Sequence, residues 1–200
     1  MLYSMFRINF SGDHQTEVLT KTTTAMKTIR FVITFMILSG SYFMQAQGTV
    51  AEKVKDWERA KAYTLEYMEA MPADKYDFKP TEEIRSFAQQ MLHITDANYG
   101  FGSTVLGIES PIGMGESEKS KDTSRDNVIA LVNAGYDFLI DNLKKMTEEQ
   151  MNESVKLFGQ FELTKGVALD KAFEHQTHHR GQTTVYLRLA GVKPPSEKLF

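Results

Sequence analysis

The chain of 200 residues contains no cysteine. That absence excludes a disulfide framework, a Cys-ligated zinc or iron–sulfur centre, a thiol nucleophile and a thiol-linked lipid anchor, and it leaves His, Asp and Glu as the chief ligands for any metal. Strong charge bias is missing too: a net charge of −3 argues against a general nucleic-acid binder. No Glu precedes a His by three positions, so the di-iron bundle signature is absent. No His-Glu-x-x-His marks a zincin-type protease, and no phosphate loop or dinucleotide fingerprint occurs, since Gly100-Phe101-Gly102 lies inside a helical pattern and lacks the spacing. Nothing places a Ser on a strained elbow. What remains, with 42% hydrophobic and 11% aromatic residues, is an ordinary soluble globular composition rather than collagen, a disordered chain or a multi-span membrane protein.

The N-terminal quarter reads as a leader. From Met26, Lys27 and Arg30 form a positive start, Phe31 to Met44 is uncharged and mostly apolar, and the chain turns polar at Gln45-Ala46-Gln47-Gly48. This is the pattern a signal peptidase needs, and the apolar run is shorter than the roughly 20 residues of a membrane span. Residues 26–47 are therefore expected to be a signal peptide, residues 1–25 an upstream over-extension of the gene start, and residues 48–200 the working protein. Export to the periplasm or exterior follows, with no stable membrane anchor after cleavage. About 150 residues suit one domain.

The mature part carries the periodicity of four helices. Thr49-Val50-Ala51-Glu52 matches a capping box that opens helix one, and Val50, Val54, Trp57, Thr64, Met68 and Met71 recur on one face before Pro72. Helix two is expected from Thr81 to about Leu106, its stripe being Ile84, Phe87, Ala88, Met91, Ile94, Phe101 and Val105. Residues 107–124, rich in Gly, Ser, Lys and Glu, form a long loop suited to a lid. Thr123-Ser124-Arg125-Asp126 is a weaker cap before helix three, which carries Val128, Leu131, Val132, Leu139 and Leu143. Thr147-Glu148-Glu149-Gln150 is a further capping box, and residues 154–163 alternate loosely enough to be extended. Helix four runs from about Thr164 to Ala190, where Gly191 and Pro194-Pro195 stop it. The expected fold class is all-α, a four-helix bundle with a long crossover loop.

The chemistry concentrates on helix four. His175 and His179 are four apart, so their imidazoles stack on one face and suit a single cation. His178 points about 60° away from His175 and is either exposed or an outer group near the site. The only other His of the mature part, His93 in helix two, lies nearly opposite Met91 and the apolar stripe, beside Ser86, Gln90, Ala97 and Gly100. Spacing alone leaves it open between a metal ligand and plain surface. Asp96, one turn on, is a candidate to orient a ligand or act as general base, against the alternative of a solvated helix charge. Arg180 and Arg188 are candidates to hold a substrate carboxylate, against pairing with surface acids.

The segment His175-Gln-Thr-His-His-Arg-Gly-Gln-Thr-Thr-Val-Tyr-Leu-Arg-Leu-Ala-Gly-Val-Lys-Pro-Pro195 resembles the closing His-x-x-x-His-x-Gly-Gln helix, Tyr-Leu-Arg and terminal Gly-x-x-Pro-Pro of the DinB-like (DNA-damage-inducible) four-helix bundles, which include the YfiT-type metal-dependent hydrolases. Arg85-Ser-Phe-Ala-Gln-Gln-Met-Leu-His93-Ile-Thr-Asp-Ala-Asn98 is similar to the family's first ligand segment, and the resemblance covers about residues 49–196. It implies a three-His site, His93, His175 and His179, on one divalent ion, zinc or nickel. It also implies a metal-dependent hydrolase or group transferase acting on a small molecule, and homodimers. The alternative is a non-catalytic metal-binding module in which the ion staples helices two and four.

Overall fold

The computed structural model describes residues 48–200; the expected extension (1–25) and signal peptide (26–47) lie outside the described residues. Helix α1 spans Val50–Ala70 and opens on the capping box read from the sequence: Glu52 N donates to Thr49 Oγ1 at 3.1 Å and Thr49 N donates to Glu52 Oε2 at 2.7 Å. Helix α2 spans Phe87–Leu106, a turn and a half later than expected. The reason is a second capping box, in which Gln89 N donates to Ser86 Oγ at 3.2 Å and Ser86 N to Gln89 Oε1 at 2.9 Å. Two further first-turn amides are taken by the 76–78 segment, Phe87 N to Phe78 O and Ala88 N to Tyr76 O. Residues 81–85 are turn, and Ile84 is exposed rather than part of the core stripe.

Helix α3 spans Arg125–Leu143, and Ser124 precedes it without a side-chain cap bond, which matches the weak signal there. The Thr147–Gln150 box forms and opens a single 3₁₀ turn, Gln150–Asn152. The loosely alternating stretch is an antiparallel hairpin of β1 (Ser154–Leu157) and β2 (Phe161–Thr164), with Leu157 opposite Phe161. Helix α4 spans Lys165–Leu189. Its end is a Schellman motif: Gly191, at φ +81°, sends its N–H to Arg188 O, and Val192 sends its own to Leu187 O.

The helices form the expected bundle. Helix α2 packs mainly against α3 and α4, and α1 packs mainly against the same two. Thus α1 faces α2 across the bundle diagonal and α3 faces α4, the diagonal crossings being made by residues 71–86 and 144–164. The 107–124 loop joins neighbours. Two-sided packing explains why buried residues of α2, from Phe87 and Met91 to Gln90, Thr95 and Asn98, run most of the way round it. A single apolar stripe underestimates such a helix.

The core holds Trp57 edge-on to Tyr136 and Phe173, with Met68, Met91, Leu92, Leu139 and Leu169 fully enclosed. A polar seam crosses it. Thr64 Oγ1 lies 2.8 Å from the Tyr136 hydroxyl, which donates to Gln176 Oε1 at 3.0 Å, tying α1, α3 and α4 together. Every member is hydrogen-bonded, which is the condition for burying it.

Helices α2 and α3 are tightly apposed at Gly135, where a Cβ would stand 2.9 Å from Thr95 Cγ2 and 3.3 Å from Thr95 Cα. Gly135→Val is therefore expected to cost about 1–3 kcal/mol through overpacking. Thermal unfolding should show this as a fall in Tm of roughly 2–4 °C per kcal/mol; an unchanged Tm would mean that the two helices part freely.

Candidate metal centre

Because α2 and α4 lie side by side, His93 from the former meets His175 and His179 on successive turns of the latter. Ring centroids are 4.4 Å apart for His175–His179, 4.5 Å for His93–His179 and 5.1 Å for His93–His175. One nitrogen from each of the three rings lies within 4.8 Å of the others. The roughly 2.0–2.1 Å of a metal–imidazole bond asks the three nitrogens to draw somewhat closer together around one cation.

Neighbouring side chains aim two of the rings. His93 Nδ1 is 3.0 Å from Glu118 Oε2, and a carboxylate oxygen accepts, so Nδ1 is the donor and Nε2 is the nitrogen left to face a metal. His179 Nδ1 donates to Gln90 Oε1 at 2.9 Å, with the same consequence. The Gln90 amide donates in turn to the Tyr186 hydroxyl at 3.3 Å, which donates to Arg85 O at 2.7 Å. That chain of donors has one consistent direction and holds the ring in place. His175 differs: its Nδ1 is buried and has no hydrogen-bond partner among the described residues. A buried ring nitrogen without a partner, in a ring packed against two other imidazoles, fits a cation held among the three.

Burial keeps two of these imidazoles neutral. Loss of water, then the other imidazoles and Arg85, lowers His175 to about 4 and His179 to about 3. Phe101, 5.9 Å from the His175 ring and itself against Phe158, forms the apolar wall on that side. Partial burial works against ionisation of Glu118, but hydrogen bonds from Arg85 and His93 outweigh it and hold the carboxyl below its usual range. The Arg85 Nε–Glu118 Oε1 distance is 2.6 Å.

Beside the centre, between the 80–85 turn and α4, opens a cleft of about 730 Å³ walled by Arg85, Gln90, Glu118, His179, Gln182 and Tyr186, among others. Its size suits a small molecule. The centre thus has protein on one side and an opening at His179 on the other.

The other residues singled out from the sequence fall elsewhere. His178 is exposed and accepts from the Gln182 amide at 2.9 Å. Asp96 spends both carboxylate oxygens on backbone amides, Ser117 N and Glu118 N, each at 2.9 Å. It reaches the imidazoles only through Glu118, which it fixes against His93. This also fastens the 107–124 loop to α2, so at its 3₁₀ turn, Ser117–Lys119, the segment is a strut. Arg180 and Arg188 line a separate cavity. Sequence reading named Gln90 only as a neighbour of His93 and missed Glu118 and Arg85 as partners. The three-residue step from Gln90 to His93 was a usable signal, but nothing in the loop's composition marks Glu118.

Residues 44–199 match the family model of the DinB family. The chain is 31% identical over 132 residues to the uncharacterized protein YjoA of Bacillus subtilis (strain 168), covering 64% of this chain and 82% of the relative. The crystal structure of that DinB-like protein aligns with a TM-score of 0.56 at 25% identity, over 74% of this chain and 96% of YjoA. A DinB-like protein from Bacillus cereus ATCC 10987 aligns with a TM-score of 0.67 at 18% identity, over 75% and 98%. YfiT from Bacillus subtilis, described as a probable metal-dependent hydrolase with an unusual four-helix bundle topology, aligns with a TM-score of 0.57 at 18% identity, over 71% and 87%. The last two likenesses bear on the fold alone.

The lowered values of His175 and His179 set a pH dependence. Unfolded imidazoles titrate near 6.5, so between there and about 4 the unfolded chain binds protons that the folded one refuses. Stability of the metal-free protein is expected to be full above about pH 6.5 and to fall as the pH drops toward about 4. Urea midpoints measured in chelator across this range check it: the slope should flatten in a His175→Ala/His179→Ala variant, and an equal slope would mean that these rings are not held neutral.

Proposed function

The chain belongs to the DinB family, and from that premise we propose that it is a metal-dependent enzyme, a hydrolase or group transferase, acting on a small molecule. One observation carries this reading: three imidazoles from two helices converge within 4.8 Å, two of them with Nδ1 committed to fixed acceptors, beside an open cleft. The likeness in fold to YfiT, described as a probable metal-dependent hydrolase, supports the same reading.

His93, His175 and His179 would hold the ion, and zinc or nickel suits a set of neutral imidazoles. When bound, such an ion supplies Lewis acidity, polarising a substrate oxygen and acidifying water. Glu118 and Gln90 keep Nε2 of His93 and His179 directed inward, and Asp96 secures Glu118. The Arg85–Glu118 pair sets the charge at the cleft rim, while Gln182 and the Tyr186 hydroxyl offer hydrogen bonds to a ligand entering there. The leader pattern of residues 26–47 supports action outside the cytoplasm. A second reading, a non-catalytic staple, draws on the fact that the three ligands bridge α2 and α4.

Elemental analysis of the purified protein is expected to find about one divalent ion per chain and to find it lost in His175→Ala. Glu118→Gln should weaken metal affinity by about 10–100-fold. Absence of stoichiometric metal would end both readings. Thermal melts with and without chelator separate them: a staple loses much of its stability when stripped, whereas an open centre exchanges its ion readily and binds anionic inhibitors.

A further inference from the structure

A second cavity, of about 510 Å³, lies between α1, α4 and the C-terminal tail, and shares no lining residue with the cleft at His179. Its cations are Arg180, Arg188 and Lys193, against one carboxylate, Glu197. Tyr63, Tyr67 and Thr184 add hydroxyls; those of Tyr67 and Thr184 are 2.9 Å apart. The tail that closes it is fastened across α1: Arg59 donates to Lys198 O at 2.8 Å, and Lys198 pairs with Glu66.

Arg180 is the unusual member. It is only 7% exposed, yet pairs with no carboxylate among the described residues. Its guanidinium sits 4.5 Å over the Tyr63 ring, and Nη1 donates to Gln176 Oε1 at 3.0 Å and to Ala60 O at 3.5 Å. The other guanidinium nitrogens make no hydrogen bond to the described residues, and neither is among the sealed, unpartnered atoms of the interior, so they open on the cavity. An arginine this deep needs an opposite charge more than a ring face and amide oxygens can supply. Its planar fork matches a carboxylate or phosphate, and the flanking Arg188 and Lys193 bias the cavity the same way.

We propose that this cavity is a binding site for a small organic oxyanion, with Arg180 as the buried anchor and Arg188 and Lys193 at the rim. The site stands independently of the imidazole centre. It redirects the sequence-based expectation for the two arginines: they hold an anion, but one that does not lie at the three histidines.

Isothermal titration calorimetry tests this on the full chain in chelator at constant ionic strength, with inorganic phosphate and succinate as separate probes. Saturable binding of either is expected, unchanged in His175→Ala and weakened about tenfold in Arg188→Gln/Lys193→Gln, whose residues are exposed and expendable for folding. Binding of phosphate alone assigns a phosphate ligand, and of succinate alone a carboxylate. Arg180→Lys, checked for folding by circular dichroism, should lose most of the binding while keeping the charge. No binding of either probe, binding lost in His175→Ala, or binding indifferent to the rim substitutions would overturn the proposal.

Discussion

Side-by-side packing of α2 on α4 brings the two halves of the centre together, and the rest of the site depends on it. One His comes from the first helix and two from the second, so neither helix is a ligand set alone. The contact is held by a directed run of donors, His179 to Gln90 to Tyr186 to the Arg85 carbonyl, which crosses from α4 to α2, returns to α4 and ends just before α2. Ala168 and Ala172, on the His175 face of α4, are small and buried, which suits close packing of the helix there. The same bonds thus serve packing and the choice of tautomer.

Burial then sets the electrical state. Taking His175 and His179 out of water favours their neutral forms, and neutral imidazoles are the ones with lone pairs to offer. Glu118 works in the opposite sense, staying ionised because Arg85 and His93 both donate to it. A carboxylate behind an imidazole raises the ring's basicity and fixes its orientation. Asp96 reaches the centre at one remove, by capping the turn that carries Glu118.

Helix α4 serves two sites from adjacent faces. His175 and His179 look toward α2, while Gln176 and Arg180 face the polar seam with Tyr136 and the cavity beside Tyr63. This explains a helix whose buried positions include Gln176, Arg180 and Thr183 as well as Leu169 and Leu187. Gln176 and Thr183 are matched locally, whereas the His175 Nδ1 and part of the Arg180 guanidinium are not, and it is at these two places that the helix meets its two sites.

Local chemistry, read from the sequence by itself, determined where helices start and stop: the Thr49–Glu52 and Thr147–Gln150 boxes and the Gly191 stop depend on residues within a few positions of one another. It also placed His175 and His179 on one face, since four residues make about one helical turn. The late start of α2 is a local signal of the same kind, since Ser86 and Gln89 form a capping box. Tertiary structure alone decided the rest. Whether His93 faced solvent or its partners turned on α2 being packed on two sides, which a one-stripe reading misjudges. Glu118 and Asp96 met through a loop whose path its composition does not specify, and Arg180 and Arg188 turned to a cavity that α1 and the tail complete. A short sequence separation constrains geometry through the chain itself; across tens of residues only packing does, and packing is a property of the whole fold.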